Sequence, residues 1–302
     1  MNNKLKGIIL ALIGGILWGF SGVCGQFLFQ IKGIDARWLS PWRLFVSGII
    51  ILVMVFPAYK KNMFKVFSKP VILPMLVFGF VSVMGCQYSY FMAIESSNSA
   101  TATVLEYIAP AIVMLYTCIR IKKVPSLVQF IALICAMAGV FFIATGGNIS
   151  TLTISPNALF WGLLSGLCYG IYTIQSPSLS QKCGVLLMLG WGNFIGSLPL
   201  IIINHQYMFV FYSDWQVILA FLGTTILGAI VSFGIYIKGC QLSGPITGSL
   251  CASIEPLSSA VIAYLWLGTQ FRVKDIVGLV LIIATVVILT LDKGKLNDDI
   301  IS

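Results

Sequence analysis

Charged residues are scarce in this sequence, and that scarcity determines which solvent the protein can face. Only 9% of its 302 residues are charged, 59% are hydrophobic, and the mean hydropathy is +1.00. A soluble domain carries about 25% charged residues. Helices can satisfy their backbone polar groups inside lipid without water. The sequence therefore predicts an all-α integral membrane protein, with the lipid bilayer as its surroundings.

The residues that usually build catalytic and metal sites are few, or are not spaced as such sites require. The only histidine is His205, and the eight cysteines include no C-x-x-C pair, which argues against a zinc site, a disulfide framework and a histidine-based triad. No Gly-rich phosphate loop is present, so ATP-driven transport has no support. We expect no cofactor, no metal and no enzymatic activity.

Positive charge is concentrated in short clusters between apolar runs. The chain has 18 Lys and Arg against 9 Asp and Glu, and one such cluster contains Lys60, Lys61, Lys65 and Lys69. Clusters of this kind are typical of cytoplasmic loops that follow the positive-inside rule. Because no basic face or recognised motif accompanies them, we expect no nucleic acid partner.

Ten apolar stretches of about 17 to 25 residues, the length needed to cross a bilayer, lie between loop residues. We predict spans near 7–30, 38–57, 71–93, 98–119, 127–146, 156–177, 185–203, 215–238, 245–267 and 275–292. With the N-terminus inside, 13 of the 18 Lys and Arg face the cytoplasm and 5 face outward. Both termini are therefore predicted to be cytoplasmic, including a tail over 293–302.

An internal repeat divides the chain into two five-helix halves, 1–146 and 156–292. Residues 93–146 align with 239–292 without a gap, at a shift of 146. The aligned identities include Thr101 with Thr247, Ile108 with Ile254 and Pro110 with Pro256, while Gly15 and Gly19 meet Gly162 and Gly166 at a shift of 147. Because each half has an odd number of spans, the second half must be inverted in the membrane. Inverted repeats are typical of alternating-access transporters.

Several short motifs resemble one known family over essentially the whole chain. They are Ile16-Leu17-Trp18-Gly19, Trp42-Arg43-Leu44-Phe45, Tyr90-Phe91-Met92-Ala93-Ile94, Tyr107-Ile108-Ala109-Pro110-Ala111, Ile254-Glu255-Pro256 and Leu265-Trp266-Leu267-Gly268. Together they resemble the ten-span EamA-type members of the drug/metabolite transporter superfamily. One departure is Gln270, where the family commonly has a glutamate.

The resemblance implies secondary transport of small polar metabolites, often amino acids or amines and usually outward, with the chain in the plasma (cell inner) membrane as a multi-pass protein. Export by alternating access, with or without proton coupling, is thus the predicted function. A membrane-embedded enzyme, a non-transport receptor and a channel are the alternatives. The oligomeric state stays open between monomer and homodimer.

Two acidic residues, Glu106 and Glu255, fall well inside predicted spans. A charged side chain at a helix centre costs about 2.5–3.5 kcal/mol to insert, so such residues normally face a protein cavity. We hypothesise that one of them couples proton movement to substrate movement or binds an ammonium group. The alternative is a structural acid hydrogen-bonded to neighbouring helices. Pro110 and Pro256 lie near these acids and are expected to kink their helices.

Arg43 and a set of aromatic and amide side chains complete the predicted site. Arg43 could pair with a glutamate or with a substrate carboxylate, or its guanidinium could extend to the outer headgroups. Aromatic faces attract ammonium groups, although many aromatic residues only pack cores or membrane interfaces. The remaining predicted substrate-binding residues are Trp18, Gln87, Tyr90, Tyr169, Tyr172, Asn193 and Tyr236.

Overall fold

The computed structural model describes residues 3–122, 124–145, 155–244, 247–248, 251–252 and 254–269, with single residues and short runs between 273 and 288. These residues form helices and connecting turns, and no strand occurs among them. The helices are α1 Asn3–Ile31, α2 Ala36–Phe67, α3 Lys69–Glu95, α4 Ser99–Arg120, α5 Leu127–Thr145, α6 Pro156–Cys183, α7 Val185–Ile203, α8 Trp215–Ser243 and α9 Ile254–Leu267, with one helical turn at His205–Met208.

Seven of these helices, α1 to α4 and α6 to α8, are long and apolar enough to cross a membrane. Two shorter apolar segments, Leu127–Gly139 within α5 and Ile254–Leu267, lie at two of the three remaining predicted positions. The chain is therefore a multi-pass membrane protein. The predicted tenth span, 275–292, falls largely outside the described residues, and the tail over 293–302 lies wholly outside them, so the total of ten spans remains a prediction.

Two helices run past their predicted ends and stop at a glycine. We predicted that the sixth span ends at Pro177, but α6 continues through Pro177 to Cys183. It ends at Gly184, whose φ of 89° is strained for any residue with a Cβ. In the same way α8 runs past the predicted end at 238 to Ser243 and stops at Gly244, with φ 88°.

The loop predicted after the second span is helical. After Tyr59 the chain continues as tight 3₁₀ turns over Lys60–Phe67. The rings of Phe64 and Phe67 in these turns pack against Trp191 of α7, with centroids 5.9 and 4.7 Å away. The lysine cluster is therefore held close to the second half of the chain.

Helices of the two halves pack against each other in a reciprocal pattern. Helix α1 lies along α8 and α9, and α6, the first helix of the second half, lies along α3 and α4. Helix α2 packs on its counterpart α7. Each pairing is thus repeated when the halves are exchanged, which is the arrangement expected for two copies of one module related by a two-fold axis.

An ion pair joins the two halves at one end of this arrangement. Lys32, just after α1, donates a hydrogen bond to Asp214 just before α8 at 2.6 Å. The hydrogen bonds from Lys32 and from the backbone N–H of Gln216 lower the pKa of Asp214. Nearby, Trp38 of α2 donates from its indole nitrogen to the carbonyl of Val210 at 2.9 Å.

The contact of α2 with α7 depends on a glycine. A Cβ added at Gly48 would lie 2.7 Å from the backbone nitrogen and 3.0 Å from the Cα of Phe194. Small residues of this kind allow membrane helices to approach closely. Since the opposing atoms belong to the backbone, a side chain at position 48 would force the two helices apart.

Gly48→Ala is expected to destabilise the protein by about 1–3 kcal/mol, the range typical of overpacked contacts. Thermal unfolding of the detergent-solubilised protein measures this effect. Gly234→Ala is the matched control, because a Cβ at Gly234 would meet only the Leu186 side chain at 4.0 Å. Equal melting temperatures for the two variants would contradict this account of the α2–α7 contact.

Candidate substrate site

A small cavity, with about 30 Å³ of room for solvent, lies between the two halves. Seven helices contribute to its wall, four from the first half and three from the second. The lining residues are Trp18, Ser21, Arg43, Cys86, Gln87, Tyr90, Glu106, Tyr169, Phe233 and Glu255. Seven of the ten predicted substrate-binding residues thus line one cavity.

Glu106 enters this cavity at a break in α4. The α-helical segment Ser99–Glu106 ends there, and the helix resumes at Ala109. Pro110 has no N–H to donate to the carbonyl of Glu106, four residues earlier, and this explains the break. The Glu106 carboxyl is buried, and its Oε1 accepts hydrogen bonds from Ser165 Oγ at 2.5 Å and Cys86 Sγ at 3.3 Å.

Glu255 reaches the same cavity from the other half. It lies at the second residue of α9, next to Pro256, and its side chain is buried. The hydroxyl of Tyr90 lies 3.2 Å from Glu255 Oε1, to which it donates, and 2.9 Å from the hydroxyl of Thr103. Tyr90 therefore links Glu255 to α3 of the first half, and its contact with Thr103 extends this network to α4.

Two glycines allow the acid-bearing helices to approach this closely. A Cβ at Gly19 of α1 would lie 2.8 Å from the carbonyl oxygen of Glu255, and a Cβ at Gly166 of α6 would lie 2.8 Å from that of Glu106. Each half therefore packs a glycine of its first helix against the acid of the opposite half.

The two glutamates are nevertheless not counterparts in the repeat. At the shift of 146 residues, Glu106 aligns with Ala252 and Glu255 aligns with Ala109. The cavity therefore contains one carboxyl from each half, at positions one helical turn apart in the aligned sequences. The chemistry of the site is less symmetric than the packing of the helices.

Arg43 lies in the wall of the cavity and is 3% exposed. Its Nε donates to the carbonyl of Thr224 at 2.8 Å, its Nη1 donates to Gln87, and its guanidinium lies 4.8 Å from the centre of the Phe91 ring. Burial excludes the alternative in which the guanidinium extends to the headgroups. Among the described residues no carboxylate lies within ion-pair distance of Arg43.

Trp18 forms the centre of an aromatic wall. Its ring lies 4.6 Å from that of Phe233, 4.7 Å from Tyr236 and 5.6 Å from Tyr169. Its indole Nε1 is buried without a hydrogen-bond acceptor among the described residues. Buried polar atoms are normally paired, so this donor is available to a ligand or a water in the cavity.

Three of the predicted binding residues lie behind or outside the cavity wall. The Tyr236 hydroxyl is 3.1 Å from that of Thr173, and its ring supports Trp18 from behind. Tyr172 is fully buried and packs against Phe78 and Phe233. Asn193 donates to Ser47 at 3.0 Å, where α7 crosses α2. These side chains support the structure around the cavity without reaching its interior.

The sequence analysis missed Cys86, Ser165 and Phe233. Helical spacing carries a signal for the first two, because Cys86 lies four residues before Tyr90 and Ser165 lies four residues before Tyr169. Residues four apart share one helix face. Extending the two predicted faces by one turn would have found both residues. Phe233 lies three residues before Tyr236 and was reachable by the same argument.

Comparison with known proteins identifies the class to which this fold and cavity belong, namely membrane transporters. The chain belongs to the EamA-like transporter family, whose pattern matches residues 5–145 and again residues 156–291. This confirms the family inferred from the motifs. The matched family is one of transporters.

Two relatives cover most of the chain. The uncharacterized inner membrane transporter YicL of Salmonella typhimurium (strain LT2) is 32% identical over 295 residues, covering 98% of both chains. The threonine/homoserine exporter RhtA of Escherichia coli (strain K12) is 26% identical over 278 residues, covering 92% of this chain and 88% of its own. A solved crystal structure covers 99% of this chain and is itself covered completely, with a TM-score of 0.74 at 13% identity, which establishes similarity of fold.

Cys86 offers a direct chemical test of the cavity. Because Cys86 is buried, N-ethylmaleimide should reach its thiol only when the cavity opens during transport. Alkylation would then place a bulky group beside Glu106, so we expect the reagent to inhibit the wild type during turnover. Cys86→Ser should transport in its presence, while Cys118→Ser, altered at a half-buried cysteine of α4 that does not line the cavity, should stay sensitive. Inhibition that persists in Cys86→Ser would contradict the assignment.

Proposed function

We propose that this protein exports amino acids or related amine-bearing metabolites across the plasma membrane, by alternating access and with proton coupling. The cavity carries the proposal: it combines two carboxyl groups, one guanidinium and an aromatic wall between two halves of an apolar protein. A cavity of this composition suits a small solute that bears both charges. It is poorly suited to an apolar or purely anionic cargo.

The charges of the cavity match those of a zwitterionic amino acid. A substrate ammonium can approach Glu106 or Glu255 and the faces of Trp18 and Tyr169. A substrate carboxylate can approach the Nη2 of Arg43, whose nearest acceptor is the hydroxyl of Ser21 at 3.4 Å. The relative named as a threonine/homoserine exporter supports this substrate class.

Alternating access is supported by the reciprocal packing of the halves. We propose that residues 1–146 and 156–292 form two five-helix modules of opposite orientation, with both termini cytoplasmic. The cavity lies at their interface, which is where inverted-repeat transporters bind substrate. Rocking of one module against the other would then expose the cavity to each side of the membrane in turn.

Two carboxyl groups that share one cavity in an apolar surrounding support proton coupling. Two ionised carboxylates at close range repel each other and are poorly solvated there. A proton or a substrate ammonium can relieve this charge. Competition between the two for the same pair of acids would link substrate release to proton binding.

Replacing either cavity acid by glutamine should lower pH-gradient-driven transport. In proteoliposomes loaded with threonine and homoserine, we expect Glu106→Gln and Glu255→Gln each to transport roughly 10- to 100-fold more slowly, since a hydrogen bond to a charged group contributes about 1.5–3 kcal/mol. The measurement is substrate flux with and without an imposed pH gradient.

Glu95→Gln provides the matched control for these variants. Glu95, at the end of α3, accepts from the backbone N–H of Ala36 at 2.9 Å and does not line the cavity. Glutamine retains an acceptor oxygen, so we expect near-normal transport. Full pH-dependent transport by both cavity variants would rule out acid-based coupling.

The Arg43→Gln variant tests whether Arg43 recognises the substrate carboxylate. We expect Arg43→Gln to lose transport of threonine while retaining transport of its decarboxylated amine, because only the former needs a cationic partner. Paired flux measurements on the two compounds test this. An equal loss for both compounds would instead assign Arg43 a structural role through Gln87 and Thr224.

A further inference from the structure

A second pocket, outside the proposed substrate site, opens at the opposite end of α2 from the Lys32–Asp214 pair. Its volume is about 330 Å³. Its lining residues are Tyr59, Asn62, Lys65, Lys182, Cys183, Gly184 and Leu187. Two ammonium groups, an amide and a phenol therefore surround this space, and no carboxylate is among the residues that line it.

The pocket spans the boundary between the two halves. Lys65 belongs to the 3₁₀ turns that end α2, whereas Lys182 lies in the last turn of α6, just before Gly184. Gly184 allows this approach, because a Cβ at that position would collide with the hydroxyl of Tyr59. Two like charges from different halves are thus held around one space.

Among the described residues, neither lysine has a carboxylate partner. Its sequence contains no Asp or Glu between residues 36 and 94 or between 107 and 213. In the described part of the chain, the ion pairs are Lys32–Asp214 and Asp35–Arg37, both at the other end of α2. At that end the halves are joined by a pair of opposite charges. At the end with Lys65 and Lys182, the described part of the chain shows two positive charges and no negative one.

Exposed aromatic rings beside the pocket favour a membrane lipid as the source of the anion. Phe64 is 63% exposed and Phe67 is 40% exposed, on the same 3₁₀ turns as Lys65. An amphipathic segment with lysines and exposed aromatic rings is suited to the headgroup region of a bilayer. Basic pockets between membrane helices are suited to the headgroups of anionic lipids.

We infer that this pocket binds the phosphate of an anionic phospholipid, with Lys65 and Lys182 holding the phosphate and the acyl chains lying along Phe64 and Phe67. The lipid would supply the anion that joins the two halves at this end, as Asp214 does at the other. Binding would then favour the conformation in which Lys65 and Lys182 lie close together.

Native mass spectrometry of the full chain in detergent, titrated with phosphatidylglycerol or phosphatidylcholine, tests the inference. We expect preferential retention of phosphatidylglycerol by the wild type. The double variant Lys65→Gln/Lys182→Gln should bind it roughly 30-fold more weakly, since each lysine near a lipid surface contributes about five-fold in affinity. Lys65→Arg/Lys182→Arg should retain binding, which would show that the two positions tolerate substitution when the charge is kept.

Lys6→Gln/Lys238→Gln is the matched control, with the same loss of charge at two exposed lysines away from the pocket. It should bind phosphatidylglycerol as the wild type does. An equal loss in this control would reduce the effect to net charge and overturn the site. Equal retention of both lipids by the wild type would also overturn it. Displacement of phosphatidylglycerol by millimolar inorganic phosphate would assign the pocket to a soluble anion and refute a lipid ligand.

Discussion

The burial of two carboxyl groups, Glu106 and Glu255, within a bundle of apolar helices is the constraint on which the rest of the structure depends. A carboxyl group facing lipid would have no hydrogen-bond partner, so both must be enclosed by protein. Ser165 and Cys86 satisfy the first acid, and Tyr90 satisfies the second. These donors come from α3 and α6, so polar satisfaction requires contact between the halves.

Close approach of helix backbones makes this enclosure feasible. Gly19 and Gly166 lie against the carbonyls of the two acidic residues, which lets α1 and α6 cover the acid-bearing helices of the opposite half. Van der Waals packing between small residues replaces the hydrophobic effect, which contributes little between helices in lipid. The glycine pattern, the acids and the helix breaks are therefore parts of one arrangement.

Hydropathy and periodicity predicted most of this structure. They were least reliable at helix ends, where local backbone geometry determines the last helical residue. The seventh span matched α7 at both ends, because loop residues flank an uninterrupted apolar run. The sixth span was predicted to end at 177, whereas α6 passes through Pro177, which removes only one backbone donor, and continues to Cys183. Most residues of the cavity share helix faces visible in the sequence. The positions of Tyr172 and Asn193 depend on helix rotation and crossing, which a single sequence does not specify.

The offset between the two acids has a kinetic consequence. If Glu106 and Glu255 were counterparts in the repeat, exchanging the roles of the modules would recreate the same environment around the solute. Because each acid aligns with an alanine instead, the half-saturation concentrations measured from the two faces of the membrane should differ. The final concentration ratio would still be set by the ion gradient and the coupling stoichiometry, so the asymmetry governs rates and not the end point.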